Sequence, residues 1–235
     1  SKTKLRPTRE DRRLDREILS ETFTIGLPAL GTTFVSCFGY IAFARMVSGM
    51  GTTIFAAHSI AITAEQIVYI PGYGLRVATS TLVGNALGEK DIRKLKATER
   101  VSILITLLIM VVNGIGLYLF AYPFMRLFTN SVNAARIGSE VLRLVSFSEP
   151  FFGLMIVLEG ISYGMGRTKH VFACEAVSMW GIRIFGTFLC VNVFGLGLKA
   201  VWLCMIADNI CKAILLYIFR PKHVEENADD RGALR

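Results

Sequence analysis

FTIGLPALGTTFVSCFGYIAFA, from Phe23 to Ala44, runs 22 residues without a charge. Val101 to Tyr122, VSILITLLIMVVNGIGLYLFAY, does the same over another 22. About 20 apolar residues in a helix cross the hydrocarbon core of a bilayer. The whole chain is 235 residues long, 53% hydrophobic and only 19% charged. Soluble domains average about 25% charged residues. A soluble domain, a nucleic-acid binder and a disulfide-stapled secreted scaffold are therefore poor readings. The net charge of +8 fits a membrane protein, whose basic residues collect in cytoplasmic loops. Cys37, Cys174, Cys190, Cys204 and Cys211 all lie in apolar stretches and form no C-x-x-C pair. They read as small residues packed between helices rather than a metal or disulfide framework.

Working outward, the sequence predicts an all-α membrane protein, a six-transmembrane-helix bundle with spans over 23–47, 55–84, 101–122, 140–165, 171–193 and 197–219. The membrane lobe covers 23–219, preceded by a cytoplasmic linker over 1–22 and followed by a disordered cytoplasmic tail over 220–235. The linker could alternatively form a short surface helix. Thr129 to Arg143 is expected to include a short interfacial helix capped by Asn130 or Ser131. Glu149-Pro150 marks a bend in the fourth span. The first 21 residues are charged and do not read as a signal peptide.

Loop charge sets the orientation. The N-terminal tail, Gly88 to Arg100, Arg167 to His170 and the C-terminal tail together hold 18 Lys and Arg residues, against 5 on the opposite side. Positive charge stays inside, so both termini are expected in the cytoplasm. Single cysteines introduced at Lys94 and Asn130 should then label from opposite faces of intact cells. Labelling of both from outside would overturn that topology.

The second span carries a polar line: His58, Glu65, Tyr69, Gly72, Tyr73 and Arg76. At about 100° per residue all but Tyr73 fall in a sector of roughly 60°, with Tyr73 at its margin. Ionisable residues inside a membrane point to function. A carboxylate beside two phenols can hold a cation or exchange a proton. Glu65 and Arg76 are about 16 Å apart along the helix, too far to pair with each other. Their alternative role is an internal ion pair that only holds helices together. His58 reads equally as a packing residue or a proton relay. Arg183 and Asp208 lie at similar depth on consecutive spans and are expected to form a structural ion pair. Lys212, one turn past Asp208, is expected to snorkel toward the cytoplasmic surface. Glu149 and Glu159 are not placed as a carboxylate dyad, because ten helical residues put them roughly 80° apart. Each could face a cavity.

Two motifs imitate enzyme chemistry. Gly160-Ile161-Ser162-Tyr163-Gly164 matches the hydrolase pattern G-x-S-x-G, which needs a strand-to-helix turn. Here it lies in a membrane helix, where its glycines read as a close-packing face. Gly84 to Gly88 lacks the Lys-Ser/Thr of a phosphate loop. No enzyme activity and no cofactor are expected.

Three segments carry a family resemblance: Ala56-Ala57-His58-Ser59-Ile60, then Tyr69-Ile70-Pro71-Gly72-Tyr73-Gly74, then Ala78 to Gly88. With Leu127-Phe128-Thr129, Glu159-Gly160, Gly166-Arg167-Thr168, Trp180 to Arg183 and Gly197 to Trp202, they resemble the multidrug and toxic compound extrusion (MATE) family over roughly residues 24–219. That family builds two six-helix lobes, related by a pseudo-two-fold axis, around a central cleft; this chain resembles the C-terminal lobe of such a twelve-helix antiporter. The resemblance implies export of small organic, often cationic, compounds coupled to H⁺ or Na⁺, by alternating access in a plasma membrane such as a bacterial inner membrane. The expected partners are the lipid bilayer, the organic substrates, and an N-terminal six-helix lobe or a second copy of the chain; no nucleic acid is expected. Glu65, Tyr69, Tyr73 and Arg76 are expected to line the cleft, with Glu65 as coupling or substrate-charge residue. Some sodium-coupled members carry acidic ligands where this chain has Ser36 and Phe152. The initial Ser and the linker-like leader suggest a fragment, a trimmed form or half of a split protein. A lipid-linked glycan flippase of the same superfamily is the alternative. An intramembrane protease or a channel subunit stands further off, lacking a Ser–His pair and a pore loop respectively.

Overall fold

The computed structural model describes residues 16–219, and every regular element in that range is a helix. α1 is Arg16–Ser48, α2 Thr52–Gly88, α3 Ile92–Phe128, α4 Val132–Ser146 and α5 Glu149–Gly164. α6 covers Thr168–Val193 and α7 Leu198–Ile218. Among the described residues five helices are long and apolar enough to cross a membrane; α4 and α5, bent by 60° at their junction, make a sixth, broken span. The chain thus forms the all-α, six-span lobe that its sequence implies. Of the expected linker and tail, residues 1–15 and 220–235 lie outside the described residues.

Local chemistry explains where the elements begin and end. α3 starts nine residues before its apolar run. Asp91 caps it, its Oδ1 accepting from the Lys94 N–H at 2.9 Å. The preceding turn closes with Asp91 N–H donating to the Ala86 carbonyl at 3.2 Å, and Lys90 takes a left-handed φ of 56°. The expected fourth span is two helices. Ser131 caps α4, with its Oγ accepting from Ala134 N–H at 3.3 Å. α4 then ends where both the N–H and the hydroxyl of Ser148 turn back on the Val145 carbonyl. Pro150, which has no N–H to donate, begins α5, where none is needed. α6 holds two π-helical segments, Met179–Ile184 and Leu189–Val193, which the spacing of its apolar residues does not announce.

α2 continues as helix through Pro71. Proline removes one ladder bond there. Asn113 of α3 donates its Nδ2 to the Val68 carbonyl at 3.0 Å, beside the Ile67 carbonyl that loses its ladder donor. On its other side α2 meets α5 backbone to backbone. A Cβ on Gly160 would come within 2.7 Å of the Arg76 carbonyl oxygen, and one on Gly164 within 2.5 Å of that of Ser80. The two glycines are four residues apart, and so are the two carbonyls they face. Small residues at this spacing let membrane helices approach closely.

Two apolar clusters fill the lobe. One holds Val47, Ala61, Met125, Leu142 and Trp202; the other holds Val83, Leu95, Met110, Ile156 and Leu216. Some of the buried charges stand at the seam, where a helix passes from one cluster to the other. Glu65 follows Ala64 of the first cluster and precedes Tyr69 of the second; Asp208 likewise lies between Met205 and Ala213.

Candidate functional site

At the seam, Tyr69 donates its hydroxyl to Glu65 Oε1 at 2.5 Å. The pair is buried, with Glu65 only 2% exposed. The Tyr69 ring stacks on Phe152 of α5, ring centres 3.6 Å apart. One turn before Phe152 stands Glu149, wholly buried. Neither of its carboxylate oxygens finds a hydrogen-bond partner among the described residues. Its Cβ packs on Gly114 of α3, and it lies within electrostatic reach of Glu65.

The polar line of α2 therefore divides. Glu65 and Tyr69 lie inside the lobe, between α2, α3 and α5. Gly72 and Gly153 leave the room that Met110 of α3 fills as the helices close over them. Tyr73 and Arg76 reach a partly open edge: Tyr73 is 41% exposed, and the Arg76 guanidinium stands 5.3 Å above its ring. Arg76 Nη1 also donates to Glu159 Oε2 at 3.2 Å. The four residues do not share one open surface in this lobe. His58 is a packing residue here: its Nδ1 accepts from the Trp202 indole N–H at 3.2 Å in the first cluster.

Arg183, in the first π segment of α6, meets Asp208 of α7, Nη2 to Oδ2 2.7 Å. Arg183 Nη2 also donates to Asn209 Oδ1 at 3.2 Å, and the guanidinium lies over the rings of Tyr40 and Phe43. The contact with Asp208 is an ion pair rather than an aligned hydrogen bond, since neither Asp208 oxygen is hydrogen-bonded. The charge of Arg183 also reaches Glu65, which links the two constellations. Lys212 does not snorkel. It is 6% exposed and pairs with Glu175, whose Oε1 accepts from the Ser36 hydroxyl at 2.5 Å. A buried ammonium so far from the surface is tolerable only when paired. The sequence signal for Arg183 and Asp208 does not extend to this pair. α6 and α7 are antiparallel, so residues at similar distances from the 194–197 turn face each other. Arg183 and Asp208 are each 11 residues from that turn, whereas Glu175 and Lys212 are 19 and 15 residues from it, so equal counting finds the first pair and not the second.

Residues 28–189 match the model of the MatE family. The chain belongs to the MatE family. A relative in Thermotoga maritima, the probable multidrug resistance protein NorM, is 30% identical over 85% of this chain and 43% of its own length. A second, from Photorhabdus laumondii, carries the same name and is 28% identical over 85% of the chain and 45% of its own length. A crystal structure of MATE in a bent conformation superposes on 97% of this chain and 50% of that one, with a TM-score of 0.85 at 19% identity. The chain thus spans about half the length of the relatives it matches.

Within this MatE lobe, Ser36 holds Glu175 by a hydrogen bond, and Phe152 supports Tyr69 by stacking. A buried acid of α5, Glu149, sits one turn before Phe152. Sequence reasoning weighed Glu149 only against Glu159, with which it shares no face, and missed its proximity to Glu65. Ser162 of the hydrolase-like motif donates its hydroxyl to the Leu158 carbonyl of its own helix at 2.8 Å. Among the described residues no three His, Cys, Asp or Glu side chains gather into a metal-holding cluster.

Proposed function

We propose that this chain is one lobe of a secondary antiporter that exports small organic, often cationic, compounds, with cation binding at Glu65 driving alternating access. One observation carries the reading. Three carboxylates, Glu65, Glu149 and Asp208, are buried at the seam, while Arg183, the cation beside them, is committed to Asp208. Glu65 then has only the more distant charge of Arg183, and Glu149 has no hydrogen-bond partner among the described residues, an expensive arrangement inside a membrane. A cation drawn from solution, H⁺ or Na⁺, completes the counter-charge. Its arrival and departure would alter the packing of α2 against α5 through Tyr69 and Phe152. Tyr73 and Arg76, at the open edge, would meet the substrate or the other lobe. The relatives' names, and the share of their length that the chain covers, support efflux by a two-lobed molecule in which an N-terminal six-helix lobe or a second copy supplies the opposite wall.

The test is complementation in cells stripped of their own efflux pumps. Produced with a matching six-span N-terminal lobe, the chain should lower the accumulation of a cationic dye several-fold. That export should follow an imposed proton or sodium gradient. Either lobe alone should export none unless the chain forms a homodimer, which cross-linking would reveal. Dye export by the monomeric chain, or export indifferent to both gradients, would refute the reading.

A further inference from the structure

α6 and α7 form a hairpin joined by the four residues 194–197, and it carries two thiols face to face. Cys190 lies in the second π segment of α6 and Cys204 in α7, with Sγ atoms 3.7 Å apart. Both are only half-buried. Two features hold them in place. The Leu196 N–H donates to the Cys190 carbonyl at 2.8 Å, tying that residue to the turn. Gly186 opens the α6 surface beside its partner, where a Cβ would stand 3.3 Å from Cys204 Sγ. Cys204 is seven residues past Gly197, about 10 Å along α7 from the turn. The pair therefore sits near one end of the hairpin, on the side where loop charge expects the exterior. Exterior compartments are the ones that sustain disulfides.

We infer that Cys190 and Cys204 form an oxidisable dithiol, closed into a disulfide clip across the α6–α7 hairpin by peroxides that partition into the membrane. Closure needs the sulfurs to approach from 3.7 Å to about 2.05 Å. A lipid-soluble hydroperoxide supplies the oxidant. Cys190 sulfur, having lost its proton, attacks the terminal peroxide oxygen, the O–O bond breaks, and the alcohol leaves with a proton. The resulting sulfenic acid is displaced by Cys204 sulfur: the S–S bond forms and water departs. Two thiols give up two electrons, and one hydroperoxide becomes one alcohol and one water. The inference is independent of what the lobe transports.

The experiment uses the chain in membrane vesicles treated with tert-butyl hydroperoxide, then alkylated under denaturing conditions and digested without reductant. The expected result is a peptide linking Cys190 to Cys204, with two of the five thiols lost to alkylation and recovered by dithiothreitol. Cys190→Ser and, separately, Cys204→Ala should each remove the linked peptide while Cys37, Cys174 and Cys211 stay alkylated. Full alkylation of Cys190 and Cys204 after peroxide would overturn the proposal. So would oxidation of either to a sulfinic or sulfonic acid without a link, or linkage to a different cysteine.

Discussion

Glu65→Gln is expected to abolish export by the assembled two-lobe transporter while the lobe still folds. Glutamine keeps the size of the side chain and a carbonyl oxygen that can accept the Tyr69 hydroxyl, now at 2.5 Å from the carboxylate. It loses only the charge. If that charge binds the coupling cation, every substrate should suffer equally, with efflux falling to the background of cells lacking the pump. If it only attracts cationic compounds, a neutral substrate should be spared. Dye efflux, set beside membrane abundance and thermal stability in detergent, separates a dead site from a misfolded lobe. Normal transport of all substrates by an abundant variant would reduce Glu65 to a structural residue. The position makes the effect large, because Glu65 is buried at a seam where Glu149 has no partner of its own among the described residues.

The membrane fold was legible because lipid imposes a simple rule: a span must be long, apolar and helical. The charge-free runs in α1 and α3 obey it without exception. α4 and α5 were harder. An amphipathic helix flows directly into a more apolar membrane helix, and the break between them is made by Ser148 and Pro150. The ends of α3 were underestimated because Asp91 and Lys94 extend a helix through polar sequence that lies beyond any apolar window. Counting from the turn between two antiparallel helices pairs Arg183 with Asp208, each 11 residues away, but leaves Glu175 and Lys212 four residues out of step, so that pair was not legible in this way. Pairings across non-consecutive helices were not legible either. Arg76 meets Glu159, and Ser36 meets Glu175, only because α2 packs on α5 and α1 on α6. The same holds for Glu149. Its isolation depends on Gly114 of α3 admitting its Cβ, a contact that no spacing within α5 reveals.

Asp208→Leu is expected to destabilise the lobe more than the double replacement of Asp208 and Arg183 by apolar residues. In the wild type the two charges neutralise each other at 2.7 Å, with Asp208 wholly buried and Arg183 nearly so. Removing Asp208 alone leaves a guanidinium whose close contacts are Asn209 and the faces of Tyr40 and Phe43, with Glu65 and Glu175 further off. Breaking one partner of a buried pair typically costs about 3–5 kcal/mol, whereas replacing both with packed apolar groups can be nearly neutral. The single variants Asp208→Leu and Arg183→Met should therefore each lower the melting temperature in detergent by several degrees. Their sum should exceed the loss seen in the double variant. Arg183 lies in a π segment, where the helix carries an extra residue per turn. The pair with Asp208 gives that irregular turn a reason to persist, and the double variant should let α6 relax there. Strictly additive melting shifts would show that the two residues act independently, since coupled neighbours do not add.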